Sequence, residues 1–271
     1  MVTSASPDQP GPLLASGGSA HVHAWGAQHV LKLYFAGAPA ELPAAEAVRT
    51  NAARAAGAAA PLAVQTVNVS GRNGILFERI AGPTMLEALL VRPDMLHALA
   101  ERLAAMQAGL HGLAGNGLPP LDQRVRERIG HCGALPATRR AQLAALTDRL
   151  RPGTALCHGD FHPGNVILAE RGPVIIDWYD ATSGAPDADF ACTLLRLRYA
   201  SVPGAAGPAV EQVRSAFHDA YERAYRALRP VAAASLAAWT LVMAAARLAE
   251  APTRVERERL ADLIERGLRA A

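Results

Sequence analysis

Short apolar runs separated by turn-forming residues fill the first third of the chain. The pattern predicts two β-strands around a turn within Leu13–Phe35, and two more, Leu62–Val69 and Gly74–Ile80, that form a hairpin. Between these pairs, an alanine-rich helix is expected at residues 42–56, with a proline near its start and a glycine just after its end. This part of the chain is therefore predicted to be a small β-rich lobe.

Beyond residue 80 the apolar positions recur at helical spacing. From Met95 to Leu110 a stripe of leucine and methionine predicts a buried helical face, with Asp94 as a candidate N-cap. Further helices are expected around residues 125–129 and at 137–150, 187–199, 209–228, 231–249 and 254–270. The predicted divisions are a loose tail (1–12), an N-terminal lobe (13–80) and a mainly helical C-terminal lobe (81–271).

The segment Cys157–Tyr179 interrupts the helical pattern with two short apolar runs. Asp160 lies in a polar loop before the first run, Asn165 opens that run, and Asp177 ends the second. Two strands joined by a tight turn would bring these three side chains to one end of a hairpin. Phosphoryl transfer needs such a set: one carboxylate accepts the proton of the attacking hydroxyl, while an amide oxygen and a second carboxylate hold Mg²⁺ on the phosphates.

The motif HGDFHPGN around Asp160, followed by IDW around Asp177, resembles the catalytic loop and metal-binding segment of the aminoglycoside phosphotransferase and choline kinase-like family. A weaker similarity extends over nearly the whole chain. The resemblance implies an α+β, bilobal protein kinase-like fold that binds ATP and Mg²⁺ between its lobes. It further implies that Asp160 is the general base and that Asn165 and Asp177 are metal ligands. His158 and Asp189 are expected to organise and brace the catalytic loop.

Lysine occurs once, as Lys32, among the 27 Lys and Arg residues of the chain. An exposed lysine on a half-buried strand is the commoner case, but arginine serves at every other cationic position. A compact ammonium suits a phosphate contact in a tight cleft, and the matching lysine of the family contacts the nucleotide phosphates. Glu46 has two open interpretations. It is either an acidic residue near a helix N-terminus or the partner that aims Lys32 at the phosphates.

Three further positions are candidates for nucleotide binding. Ser19 lies in a small, flexible loop whose backbone amides can approach phosphates, although an ordinary hairpin turn explains the loop equally well. In the kinase fold the backbone between the lobes binds adenine, and by that resemblance the Glu78 carbonyl and the Ile80 amide are candidates.

Two rival functions remain open on the residues alone. His158, Asp160 and His162 spell HxDxH, which is typical of a metallohydrolase site, but no other histidine forms a spaced cluster with them. A nucleotide-binding regulator without catalysis, a degenerate kinase, would be indicated by loss of a catalytic residue, and all three are present. The chain lacks DFG and APE motifs and enters a helix soon after Asp177, which favours a small-molecule acceptor over a protein.

The composition narrows the partners of the protein. The net charge is +3, and the arginines are spread along helical stretches, so nucleic acid binding is not indicated. The longest uncharged stretch, 231–246, is too short to span a membrane, and no signal peptide is recognisable. Three cysteines without a CxxC motif fit a cytoplasmic protein.

From residue 196 onward the chain has twelve Arg residues but only eight Asp and Glu residues, which argues against a polycationic substrate. The pattern does not indicate an oligomeric state.

Overall fold

The computed structural model describes residues 9–200, 207–251 and 253–270, and it forms two lobes. The N-terminal lobe is a five-stranded antiparallel sheet with the order β1-β2-β3-β5-β4, and one helix, α1, lies between β3 and β4 in the chain. The elements are β1 (Leu13–Ser16), β2 (Ala20–Trp25), β3 (His29–Tyr34), α1 (Glu41–Ala55), β4 (Ala63–Val69) and β5 (Arg72–Glu78).

The segment Leu13–Phe35 contains three strands, so the prediction of two was wrong. The missed turn joins β2 to β3 and contains Gly26, whose φ of +60° lies in the left-handed region that glycine adopts readily. Pairing also reaches into the predicted tail, because Gly11 donates to the Ala24 carbonyl and Ala24 donates to that of Pro12. Residues 1–8 of that tail lie outside the described residues.

The alternation of β3 decides which side chains meet α1. Val30, Lys32 and Tyr34 share the face that packs on α1, while Leu31 and Leu33 belong to a separate apolar cluster on the other face. β3 pairs with β2 and with β5, and therefore lies in the middle of the sheet. A lysine at its centre is thus held between the sheet and a helix.

The C-terminal lobe is mainly helical, and three of its short elements, α2, β6 and β9, were not predicted. α2 has a Thr84–Glu87 capping box, and β6 pairs with β9 in a small second sheet. Asp94 is not the N-cap of α3, because Pro93–Met95 forms a 3₁₀ turn and Asp94 pairs with Arg92 instead. The elements are α2 (Met85–Val91), α3 (Leu96–Leu110), α4 (Leu121–Gly130), α5 (Ala137–Arg149), β6 (Ala155–Cys157), β7 (Val166–Ala169), β8 (Gly172–Ile175), β9 (Thr182–Gly184), α6 (Pro186–Tyr199), α7 (Pro208–Leu228), α8 (Ala233–Leu248) and α9 (Arg254–Ala270).

The predicted catalytic hairpin is present as β7 and β8, which pair in register from Val166–Ile175 to Ala169–Gly172. The loop that precedes it, residues 158–165, runs from β6 and packs against the start of α6. Among the described residues, no helix has both the length and the apolar character needed to cross a membrane.

Candidate active site

Lys32 joins the two lobes through a pair of carboxylates. Its Nζ lies 2.8 Å from Glu46 Oε1, 2.9 Å from Glu46 Oε2 and 2.8 Å from Asp177 Oδ1. Glu46 is buried because it shares the inner face of α1 with Pro43, Thr50 and Ala53, at helical spacing. Of the two interpretations of Glu46, the structure supports the one in which it pairs with Lys32.

The charges of Lys32 and Asp177 stabilise each other, whereas burial raises the pKa of Glu46 although Lys32 opposes the shift. Burial by itself would lower the pKa of Lys32, but attraction to Asp177 and Glu46 outweighs it and the pKa is raised. The pKa of Asp177 is lowered, because the neighbouring Lys32 ammonium outweighs the opposing effect of burial. Tyr34 donates its hydroxyl proton to Glu46 Oε2 and so fixes that carboxylate, a role the sequence did not indicate. Lys32 is therefore charged and firmly oriented.

Asp177, at the end of the hairpin, has an unusual backbone. Its φ of 65° and ψ of 61° place it in the left-handed region, which costs most side chains about 1 kcal/mol and which aspartate tolerates better than bulky residues. Its side chain is 41% exposed, so one carboxylate oxygen bonds Lys32 while the group remains open to solvent. Such strain is typical of residues whose orientation matters for function.

Asn165 is tied to both catalytic segments. Its Nδ2 donates to the Asp160 carbonyl over 2.9 Å, and its own carbonyl accepts from the Ile176 amide over 2.9 Å. With the amide nitrogen used in this way, the side-chain oxygen is left to act as a ligand. Asn165 and Asp177 together offer the hard oxygen atoms that Mg²⁺ prefers, so the residues present fit a magnesium site.

His158 is a structural histidine, as the family resemblance implied. Its Nε2 donates to the Ile176 carbonyl over 3.0 Å, and its Nδ1 accepts from the Asp160 amide over 3.2 Å. Burial lowers its pKa, so the ring is neutral. Both ring nitrogens are occupied by the backbone, so His158 has no atom left for a metal.

His162 likewise does not support the metallohydrolase interpretation. Its Nδ1 accepts from the Gly164 amide, and its pKa is lowered to about 3 by burial and then by Arg196. Within the described ranges, the grouping with metal-binding spacing is His111, Cys157 and Asp189. In this buried cluster His111 bonds Asp189 and Tyr225, and Cys157 Sγ donates to the Ala185 carbonyl. The HxDxH pattern therefore arises from a loop held by its own backbone.

Asp189 braces the catalytic loop, as expected. Its carboxylate accepts from the His158 amide over 3.1 Å and from the Gly159 amide over 2.7 Å. It also bonds Gln107 Nε2 and His111 Nε2, each over 3.0 Å, and it is fully buried in the first turn of α6. Gly159 has a φ of +78°, and a Cβ there would lie 2.5 Å from the Asp180 carbonyl oxygen, so this position requires glycine.

We expect Asp189→Ala to lower the free energy of unfolding by about 3 kcal/mol or more, because several buried donors would lose their acceptor together. Urea denaturation measures the change. Asp94→Ala is the matched control, since that carboxylate pairs with Arg92 on the surface and its loss should leave the free energy of unfolding nearly unchanged. A variant at Asp189 as stable as the control would contradict the bracing role.

Asp160 lies in the loop between β6 and the β7–β8 hairpin, and its side chain is 18% exposed. Its carboxylate forms an ion pair with Arg196 of α6 through Oδ1 and Nε. Burial raises the pKa of Asp160 to about 7, although Arg196 opposes the shift. A carboxylate whose pKa lies near neutrality is well suited to accept a proton. The sequence analysis did not identify Arg196. Its only indication was the excess of arginine over acidic residues from residue 196 onward.

A group of arginines surrounds Asp180, three residues after Asp177. Arg124 and Arg128 both bind the Asp180 carboxylate, over 2.5 and 2.7 Å, and Arg128 also binds Glu250 over 2.8 Å. Tyr179, the preceding residue, accepts a hydrogen bond from Arg49 of α1 at its carbonyl. Its ring lies between two guanidinium groups, 5.3 Å from Arg49 and 5.1 Å from Arg124.

The remaining predicted positions lie at the edges of the N-terminal lobe. Ser19 is exposed in the turn between β1 and β2, where its carbonyl accepts from the Phe35 amide. Glu78 ends β5, and its carboxylate accepts from the Leu62 amide over 3.0 Å. Ile80 follows two residues later in the connection to the second lobe. Their nucleotide contacts stay predictions.

A central lysine paired with a helix glutamate, a loop aspartate and a second aspartate after a hairpin together define a protein kinase-like phosphotransferase. The family model described as "Phosphotransferase enzyme family" matches residues 13–231, and the chain belongs to this family. It is a phosphotransferase that acts on a hydroxyl group. A search of curated proteins found no match.

Solved structures with the same fold are distant in sequence. Amicoumacin kinase hAmiN, in complex with AMP-PNP, Ca²⁺ and Ami, is 16% identical with a TM-score of 0.65, covering 98% of this chain and 90% of its own. An aminoglycoside-3'-phosphotransferase of type VIII is 22% identical with a TM-score of 0.58, covering 87% and 91%. A choline/ethanolamine kinase family protein from Mesorhizobium loti is 17% identical with a TM-score of 0.58, covering 96% and 87%. These similarities extend over both lobes and establish the kinase-like fold.

Proposed function

We propose that this protein transfers the γ-phosphate of ATP to a hydroxyl group of a small molecule, with Asp160 as the base and Mg²⁺ held by Asn165 and Asp177. The observation that carries the proposal is the Lys32–Glu46–Asp177 triad. The triad brings the Lys32 ammonium of the N-terminal lobe within 2.8 Å of the Asp177 carboxylate of the C-terminal lobe. Asp177 follows the hairpin that Asn165 connects to Asp160. Phosphoryl transfer requires this combination of groups.

In this proposal Lys32 binds the phosphates, and Glu46 with Tyr34 keeps its ammonium in place. When bound, Mg²⁺ neutralises negative charge on the phosphate oxygens. The Ser19 loop contributes backbone amides toward the phosphates, while the Glu78 carbonyl and the Ile80 amide bind adenine. Amicoumacin kinase hAmiN was solved with a nucleotide analogue and a divalent cation, which supports both partners for a protein of this fold.

The chemical step is an in-line displacement at the γ-phosphorus. The acceptor oxygen forms a bond to this phosphorus, and the bond to the bridging oxygen breaks with its electron pair leaving on ADP. The hydroxyl proton passes to the Asp160 carboxylate, which must be ionised beforehand. Three buried free thiols, those of Cys132, Cys157 and Cys192, suit the reducing cytoplasm in which we place the reaction.

A screen of nucleotide consumption tests the proposal. Purified protein with Mg²⁺ is offered ATP or GTP together with a panel of hydroxylated metabolites and antibiotics, and ADP or GDP release is measured. We expect acceptor-dependent release with at least one hydroxyl compound. A protein that binds ATP but never consumes it above the no-acceptor rate would instead fit the degenerate kinase, and one indifferent to ATP would refute the nucleotide site.

Lys32→Arg is expected to lower kcat by about 10²-fold, because the wider guanidinium displaces the phosphates by an ångström or more from the reactive position. The variant keeps the positive charge, so ATP should still bind. Nucleotide release at saturating ATP measures the effect, and the melting temperature verifies that the variant is folded. Wild-type turnover in a well-folded variant would remove Lys32 from the phosphate site.

A further inference from the structure

The candidate base is paired with an arginine that has no other carboxylate partner in the described part of the chain. Arg196 contacts Asp160 through Nε, and its side chain is only 14% exposed. The other arginines nearby are differently placed. Arg124 and Arg128 share Asp180, and Arg247 binds the buried Glu256 over 2.7 Å. Arg196 alone among them depends on the base for its counter-charge.

Arg196 occupies the place at Asp160 that the acceptor hydroxyl must reach. An acceptor that approaches the Asp160 carboxylate therefore has to displace Arg196, a largely buried cation, from the carboxylate it contacts. Leaving one member of a buried ion pair unpaired is strongly destabilising. An anionic group on the acceptor, placed against Arg196, would remove this penalty during the chemical step.

The charged groups around Arg196 also favour an anionic acceptor. Four carboxylates are already bound by Arg196 or by the arginines compared with it: Asp160 by Arg196, Asp180 by two arginines, Glu250 by Arg128 and Glu256 by Arg247. A polycationic acceptor needs carboxylates that are free to bind it, and these are not. An anionic acceptor needs a donor, and Arg196, once it is displaced from Asp160, supplies a guanidinium group in the fork geometry that suits carboxylate and phosphate.

We propose that the acceptor carries an anionic group, a carboxylate or a phosphate, beside its reactive hydroxyl, and that Arg196 binds this group and thereby leaves Asp160. The inference rests on the proposed function and adds the substrate class. In the absence of acceptor, Arg196 occupies the base. When the anionic group of the acceptor binds Arg196, the Asp160 carboxylate is free to accept the proton of the acceptor hydroxyl.

A binding experiment isolates the anion site. With the nucleotide site saturated by AMP-PNP and Mg²⁺, acetate and inorganic phosphate are titrated against wild type, Arg196→Gln and Arg254→Gln, and the melting temperature is followed. Arg254 is an exposed residue at the start of α9, paired with Glu258. We expect anions to bind wild type and the control alike, and Arg196→Gln about tenfold more weakly, the loss of one charge-assisted hydrogen bond. Arg196→Lys should restore part of the affinity.

A turnover experiment tests acceptor charge directly with gluconate, glucose 6-phosphate, glucose and glucosamine. We expect activity on the anionic compounds, with gluconate and glucose 6-phosphate separating carboxylate from phosphate, and a loss in Arg196→Gln confined to them. Equal loss for all acceptors, and for hydrolysis by water, would mean that Arg196 contacts the transferred phosphoryl group and would overturn the proposal. Turnover of kanamycin by a protein that binds neither acetate nor phosphate would also overturn the proposal of an anionic acceptor. The kinase function would then stand.

The two failures are distinguishable. If AMP-PNP and Mg²⁺ do not stabilise the wild type, the kinase proposal fails. Acetate is then titrated without nucleotide against the same variants. Binding that Arg196→Gln abolishes would support the anion site on its own, and equal or absent binding in wild type and variant would overturn it.

Discussion

Replacing Asp160 with asparagine should lower kcat by about 10²–10⁴-fold while nucleotide binding remains close to that of the wild type. The substitution keeps the shape of the side chain and removes the atom that accepts the proton. It also leaves the backbone carbonyl that binds Asn165 in place. Single-turnover measurements at saturating ATP separate the chemical step from binding and product release.

Asp148→Asn is the matched control, because Asp148 is an exposed aspartate that pairs with Arg126 at the surface. The pH profile gives a second readout. Because burial raises the pKa of Asp160 to about 7, kcat/KM of the wild type should fall as the pH drops below about 7 and the base becomes protonated. Asp160→Asn should lack this acidic limb. A variant that turns over like the control would remove Asp160 from the mechanism.

Asp177→Ala should abolish metal-dependent ATP binding, and Asn165→Ala should weaken it less, because a carboxylate neutralises more of the metal charge than an amide does. Thermal-shift titrations with ATP, with and without Mg²⁺, measure the difference. Asp177→Asn accompanies these variants, since asparagine tolerates the left-handed backbone of this position. It separates loss of charge from loss of a favourable conformation.

Two outcomes would contradict this assignment. Unchanged Mg²⁺-dependent stabilisation in Asp177→Asn would mean that the carboxylate does not hold the metal. Stabilisation of the wild type by zinc alone, without any response to ATP, would favour the metallohydrolase interpretation again. The same assay on Lys32 variants shows whether loss of Lys32 impairs ATP binding as much as loss of Asp177 does.

The candidate catalytic residues could be predicted because they are close together in the sequence. Asp160, Asn165 and Asp177 flank one hairpin, and local pattern places them together without knowledge of the rest of the fold. Lys32 could be found because lysine is otherwise absent from the chain. Glu46 remained undecided, since its role depends on which face of α1 packs on the sheet, and that is settled by packing between distant segments.

Other features were beyond the sequence for the same physical reason. Tyr34 and Arg196 bind the site only through contacts that folding creates, 12 and 36 residues away from Glu46 and Asp160. The strands β6 and β9 each have three residues, too few for a period to emerge. The third strand within Leu13–Phe35 was hidden because the turn at Gly26 is short and its neighbours are apolar.

The stacked Tyr179 has a consequence for how this enzyme is controlled. Arg49 of α1 and Arg124 of α4 both contact its ring, so Tyr179 connects the helix that carries Glu46 to the C-terminal lobe, and the Lys32–Glu46 pair is formed. Many signalling enzymes built on this fold are switched on when a helix swings inward and that pair closes. In this structure the Lys32–Glu46 pair is closed. We therefore expect the enzyme to be active once it has folded, without an activating step, and its activity in the cell to be set by its expression level.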